Sequence, residues 1–357
     1  MIIFSNFVTR DITPMKKRLI YIFLGLCLNL FTQAVPYKIS YLTADNGLSR
    51  NLVDCIFKDS RGFIWFGTSK GIDRYDGYEF VHFDSRNLIN NLPNDNVHCI
   101  EEDVNGNIWI GTENGLFLMK YPTGEIINIT HKLELKPGFE NRQIIFINKD
   151  DQDNLWVGHN AGLSKISFSG KDIVVEDVYH SASPVNTCIF FNGNLLISCD
   201  NVVYRLIKTN DGKYKSVAFD MKLQNLRYNI NALLYDNGLI WVGTANGLYK
   251  YDLSSETIVR YSTDQGGTNH LTSNYISDLK KNKDGQLLIG TLIGLNIYDY
   301  HSDTFTGITS DSNKDGLALT NNFINCLLAD NNLIWVGTDK GGANLLSPDQ
   351  SFFQHIG

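Results

Sequence analysis

The five tryptophans of this chain all stand in one recurring setting. They occupy Ile64-Trp65-Phe66-Gly67-Thr68, Ile108-Trp109-Ile110-Gly111-Thr112, Leu155-Trp156-Val157-Gly158, Ile240-Trp241-Val242-Gly243-Thr244 and Ile334-Trp335-Val336-Gly337-Thr338. Two further copies lack the indole: Leu195-Leu196-Ile197-Ser198 and Leu287-Leu288-Ile289-Gly290-Thr291. The central position falls at 65, 109, 156, 196, 241, 288 and 335, in steps of 44, 47, 40, 45, 47 and 47 residues. A fixed period of this size marks an array of similar units, each burying its apolar faces against its neighbours.

Each unit holds four short runs. The first alternates, as in Val53-Asp54-Cys55-Ile56-Phe57, and ends at a turn such as Asp59-Ser60-Arg61-Gly62, Asp103-Val104-Asn105-Gly106 or Asp236-Asn237-Gly238. The tryptophan run is second. A tight turn and then Gly71-Ile72, Gly115-Leu116, Gly162-Leu163, Gly247-Leu248 or Gly294-Leu295 open the third, and a variable fourth follows, as in Tyr78-Glu79-Phe80-Val81-His82-Phe83. Period-2 alternation punctuated by Gly, Asn and Asp reads as strands. Four strands per ~45 residues is the pattern of a propeller blade. The expected fold is therefore all-β: a seven-bladed β-propeller of four-stranded antiparallel blades over residues 35–357. Tyr37-Lys38-Ile39-Ser40-Tyr41-Leu42 and Ser351-Phe352-Phe353-Gln354-His355-Ile356 both read as outer strands, and the first is expected to pair in the last blade and close the ring.

Residues 1–34 read differently. Lys16, Lys17 and Arg18 precede the mostly apolar Leu19–Phe31 and a small-residue end, Thr32-Gln33-Ala34. This is the layout of a signal peptide, starting at Met15 if the first residues are an upstream extension. An uncleaved anchor is the alternative, although 13 apolar residues fall short of the roughly 20 that a span needs. The expectation is an exported, periplasmic protein. Beyond residue 34 there are 27 basic and 37 acidic residues. That balance argues against a nucleic-acid partner.

The repeated positions carry structure first. A tryptophan at one internal strand position per unit is a wedge between sheets rather than a sugar platform. The Asp-x-x-Gly turns read as hairpin turns, with Asp accepting backbone N–H bonds; a calcium loop would require further oxygen ligands at fixed spacing. Cys27 lies in the leader. Cys55, Cys99, Cys188 and Cys326 each stand four residues before the turn residues Asp59, Asp103, Asn192 and Asp330, which predicts a buried inner-strand position. With Cys199 they read as free thiols, with a disulfide between neighbouring blades as the alternative. No close His or Cys pairing suggests a metal, and no nucleophile or phosphate-binding motif occurs, so no catalytic residue, metal ligand or cofactor is assigned.

Recognition is expected on the face made by the loops before each first strand and the turns between second and third strands, because loops on a rigid scaffold carry it. The candidate ligand-binding residues there are Arg50, Lys70, Arg86, Glu113, Asn114, Arg142, His159, Asn160, Asn246, His270, Asp339 and Lys340.

The repeat resembles the two-component regulator propeller. Four copies open with Leu, then Ser, Thr or Pro, then Asn or Asp two places on: Leu48-Ser49-Arg50-Asn51, Leu92-Pro93-Asn94-Asp95, Leu271-Thr272-Ser273-Asn274 and Leu319-Thr320-Asn321-Asn322. The Asp turn, the Trp-x-Gly-Thr run and Gly-Leu or Gly-Ile complete the match. The resemblance implies the periplasmic sensor of a Bacteroides-type hybrid two-component system histidine kinase, responding to oligosaccharides from polysaccharide breakdown. Such sensors carry a second propeller, a membrane helix and a kinase, so this chain is expected to be a partial sensor or a stand-alone propeller, and not itself an enzyme. An exported propeller polysaccharide lyase or hydrolase, and a dimerisation module that pairs with a second copy, are the competing readings.

Overall fold

A computed structural model of the chain describes residues 37–86, 91–133, 143–170, 172–221, 228–264, 270–312 and 318–348. The leader, Arg142 and the run from Ser351 to Ile356 lie outside the described residues. The main compact unit is Lys38–Pro348.

Seven four-stranded antiparallel sheets form the predicted blades. The first strands are Val53–Lys58, Val97–Glu102, Ile144–Lys149, Val185–Phe191, Ile230–Asp236, Ile276–Lys281 and Ile324–Asp330. Each first strand contacts that of the next blade, and the seventh contacts the first. They therefore line the centre of a closed ring. Closure is made as the sequence suggests: Tyr37–Leu42 is the outer strand of the sheet that holds Ile324–Asp330, Leu333–Thr338 and Ala343–Pro348. A ring with no free sheet edge at its seam resists edge-to-edge association.

The tryptophans are wedges. Their relative exposure runs from 0% to 5%. Trp65 packs with Val97, Ile110 and Phe117 of the second blade, and Trp109 with Ile144, Val157 and Ile166 of the third. The glycine two places on has a packing role. A Cβ on Gly67 would lie 2.3 Å from Cys55 Sγ and 2.9 Å from Val97 Cγ1, and Gly111 and Gly337 face Cys99 and Cys326 in the same way. The thiol leans over the glycine, and the next blade closes on both. Cys188 departs from the sequence alignment. Thr187 is the residue opposite Ser198 in the fourth blade, so Cys188 sits one place further along and pairs with Ile197. The described cysteines are free thiols. Burial pushes the thiol pKa of Cys188 up to about 12 and raises those of Cys55, Cys99 and Cys326 as well. Such thiols are poor nucleophiles at neutral pH.

The aspartate of the first turn has a second task. In blade one Asp59 Oδ1 accepts the N–H groups of Arg61 and Phe63, and Oδ2 accepts the indole N–H of Trp65 at 3.0 Å. Asp103 and Trp109 repeat this at 2.9 Å, and Asp150 and Trp156 at 2.8 Å. Burial pushes the Asp150 carboxyl up, but hydrogen bonds from Trp156, Asn154 and the turn amides outweigh it and hold the group below the ordinary value. In blade six Leu288 replaces the tryptophan and Asn282 replaces the aspartate. With no indole to receive, an amide that accepts the Gln286 N–H suffices.

Candidate functional site

The loop face is knitted together by the opening motif. Asn51, Asp95, Asn274 and Asn322 each accept, through the side chain, an amide from the start of their own loop: Ala44, Ser85, Thr263 and Ser310. Through the backbone carbonyl the same four accept the N–H of Gly342, Gly71, Gly247 and Gly294 in the preceding blade. Gly71 has φ +97°, and a Cβ there would lie 2.1 Å from the Phe83 carbonyl oxygen, so glycine is required. The Ser or Thr of the motif is held in three blades by a polar side chain 24 residues on. Asp73 accepts the Ser49 N–H at 2.8 Å, and Asn296 and Asn344 accept those of Thr272 and Thr320 at 3.0 Å.

A central ring of polar residues escapes the sequence reading. Every first strand carries a one-residue bulge at its start. The bulged residues are Asp54, His98, Ile145, Asn186, Asn231, Ser277 and Asn325. Asn186, Asn231 and Asn325 each donate to a backbone carbonyl of the next blade, Ile230, Ile276 and Val53. These are structural ties. Asp54 and His98 depart from that pattern. His98 Nε2 lies 2.8 Å from Glu113 Oε2, which also accepts from Gln143 Nε2 at 3.0 Å. Burial raises the Asp54 carboxyl to about 6, against the lowering pull of His98, and Asp339 adds to the rise. The mouth of the ring at blades seven, one, two and three thus presents carboxylates and an imidazole able to hydrogen-bond a hydroxylated ligand.

Of the sequence-derived candidates, Glu113 and Asp339 belong to this group. Arg50, Asn114 and Lys340 are exposed on the same face; Lys70 is half-buried in its turn. Arg86 pairs with Asp84 at 2.8 Å, and Asn246 accepts from Arg260. His270 Nδ1 lies 2.9 Å from the carbonyl of Leu271. Asn160 follows His159 in the turn, and its N–H donates to the Gln143 carbonyl. His159 itself is 2% exposed and fills the place of the Trp-x-Gly-Thr threonine. Its Nδ1 accepts the Ala161 N–H, as Thr68 Oγ1 accepts that of Lys70. Burial, with His180 nearby, pushes its imidazole down to about 4. The structure therefore gives His159 a turn-holding role inside the blade. The missed residues Asp54 and His98 had one signal: the residue after the opening Val or Ile is polar in six of seven units. Gln143, which precedes its opening Ile144, had none.

A family profile described as the two component regulator propeller matches residues 47–70 and 91–114. Each match runs from the opening motif through the aspartate turn to the turn after Trp-x-Gly-Thr. Residues 47–70 and 91–114 carry two-component regulator propeller repeats. The fold is shared with solved structures. The extracellular domain of the hybrid two component system BT3049 from B. thetaiotaomicron superposes with a TM-score of 0.69 at 24% identity, over 88% of this chain and 42% of that one. That of BT4673 from the same organism gives 0.66 at 25% identity, over 87% of this chain and 40% of that one. This chain thus spans about two fifths of the length of these relatives. Virginiamycin B lyase from Staphylococcus aureus shares the fold alone, with a TM-score of 0.62 at 12% identity over 87% of this chain and 99% of that one. No curated protein sequence matches the chain. Among the described residues no helix is long and apolar enough to cross a membrane.

Proposed function

We propose that this chain is the periplasmic, ligand-sensing propeller of a hybrid two-component system, and that its ligands are oligosaccharides released from polysaccharides. One observation carries this reading: a chain with regulator repeats folds here into a closed ring like those of extracellular domains of hybrid two component systems. The polar mouth around Asp54, His98, Glu113 and Asp339 supports a ligand rich in hydroxyl groups, held by hydrogen bonds and left unchanged. The signal it reports would pass to parts of a longer sensor or to a second propeller or second copy.

A thermal-shift screen against a broad oligosaccharide panel tests this. A ligand that binds the folded ring raises its melting temperature by mass action. Oligosaccharide turnover, lost on Asp54→Asn or His98→Ala, would replace the sensor with a lyase or hydrolase. Association into dimers with no response to any glycan would replace it with an interaction module.

A further inference from the structure

Blades five and seven build their first turn one residue shorter than blades one to three. Their aspartates, Asp236 and Asp330, lie five residues before the tryptophan rather than six. Each then pairs with a lysine of the next blade: Asp236 with Lys281, and Asp330 with Lys58 at 2.7 Å. The indole N–H groups of Trp241 and Trp335 are left buried without a hydrogen-bond partner. Two seams of the ring therefore share one constellation of tryptophan, aspartate and lysine, at the end opposite the loop face.

The two seams differ in what fills them. Between blades five and six, Tyr298 and Tyr300 stand edge-on to Trp241, with ring centroids at 5.2 and 5.9 Å. Burial and the neighbouring Asp236 carboxylate push the Tyr300 phenol upward. Between blades seven and one, Tyr75 takes the place of Tyr298, but the residue two further on is Gly77, in a hairpin two residues shorter. The result is a cavity of about 490 Å³ lined by Tyr41, Tyr75, Trp335, Lys58, Asp330 and Asp76. That volume falls in the roughly 300–1,000 Å³ range of small-molecule sites.

We propose that this seam cavity binds a single neutral pyranose ring. In the sister seam a six-membered ring bearing one hydroxyl occupies the space beside the aspartate, so the shape of the occupant is set by Tyr300. The open slot offers more polar groups than a phenol can use: the Lys58 ammonium and the carboxylates of Asp330 and Asp76. Tyr41, 56% exposed, and Tyr75 supply ring faces for the apolar side of a sugar. Two carboxylates against one ammonium disfavour an anionic sugar. Tyr41 belongs to the closing strand Tyr37–Leu42, so an occupant ties that strand to blade one. This inference rests on the carbohydrate-sensing reading and gives it a second site, on the end opposite the polar mouth.

The test uses the whole chain with the methyl pyranosides of glucose, galactose, mannose, xylose and N-acetylglucosamine. Glucuronate and phenol are ring controls, and a panel of longer oligosaccharides runs beside them. Two variants alter the slot at exposed strand positions: Ser40→Trp plugs it and Tyr41→Ala removes a ring face. At least one neutral pyranoside is expected to raise the melting temperature and slow amide exchange in Tyr37–Leu42. Ser40→Trp, melting like the parent without sugar, should lose both effects, and Tyr41→Ala should weaken binding about tenfold. A sugar or oligosaccharide that stabilises the parent and Ser40→Trp equally, with no change in the closing strand, overturns the slot and leaves the sensor reading standing. Preference for glucuronate or phenol over every neutral pyranoside also overturns it. Absence of binding by every glycan overturns both readings.

Discussion

Trp109 donates its indole N–H to Asp103 at 2.9 Å, and that bond makes the Asp-x-x-Gly turn and the tryptophan one unit. The carboxylate shapes the hairpin with one oxygen and satisfies a buried donor with the other. Asp103→Asn places an amide where two donors would face each other. We expect a loss of about 1–3 kcal/mol, the cost of leaving a buried polar group unpaired. Blade six shows the compensated form, Asn282 with Leu288, so Asp103→Asn combined with Trp109→Leu should cost less than the two single variants added together. Urea unfolding of the four proteins measures that coupling. Strict additivity would show that the bond contributes nothing.

Two groups, one buried and one half-buried, should respond to pH in opposite senses. His159 has a folded-state pKa near 4, below its ordinary 6.5. The neutral ring's contribution is full above 6.5 and is lost as the pH falls toward 4. His159→Thr restores the residue used in the other Trp-x-Gly-Thr runs and has no proton to take up. Its stability relative to the parent should improve by roughly 2 kcal/mol between pH 7 and pH 4. Melting temperatures across that range check it, and parallel curves would refute the buried-imidazole account.

Asp54 runs the other way. Its carboxyl is raised from 3.8 to about 6. The protonated form is favoured in the folded ring, so the contribution is full below 3.8 and is lost as the pH rises through 6. Asp54→Asn should match the parent at pH 3.5 and exceed it by about 1 kcal/mol at pH 7.5, a figure reduced for partial solvent access. A parent that is the more stable at pH 7.5 would show Asp54 to be compensated by His98 more fully than the burial implies.

The contrast between blades and mouth explains what was legible. The tryptophan spacing, the closing strand Tyr37–Leu42 and the turns could be read because packing repeats similar residues at most seams. The polar ring could not, because the bulge at Asp54, His98 and their equivalents shifts one residue out of the period-2 alternation that reveals strands. His159 reads as a loop-face candidate because it borders the turn between second and third strands, and its burial is not visible in the sequence. Its imidazole replaces a hydroxyl that faces inward. The seam slot was hidden for another reason. It depends on hairpin lengths at Asp330 and Gly77, in chain segments more than 250 residues apart.

Ser49 and Asp73 give the last test, because the sequence has already done the matching experiment. Asp73 is fully buried and accepts both the N–H and the hydroxyl of Ser49, at 2.8 and 2.7 Å. In blade two the serine is Pro93, which has no N–H, and 24 residues on stands Phe117, 2% exposed. A proline with no donor removes the need for an acceptor. Asp73→Phe alone should cost about 1–3 kcal/mol, since the Ser49 amide is then unpaired. Adding Ser49→Pro should recover part of that loss, while Ser49→Pro alone should destabilise by stranding a buried carboxylate that still contacts His82 at 2.6 Å. Denaturant midpoints of the three variants decide it. A double variant no better than Asp73→Phe would mean that blade two tolerates Phe117 through its own packing, and that the proline is incidental.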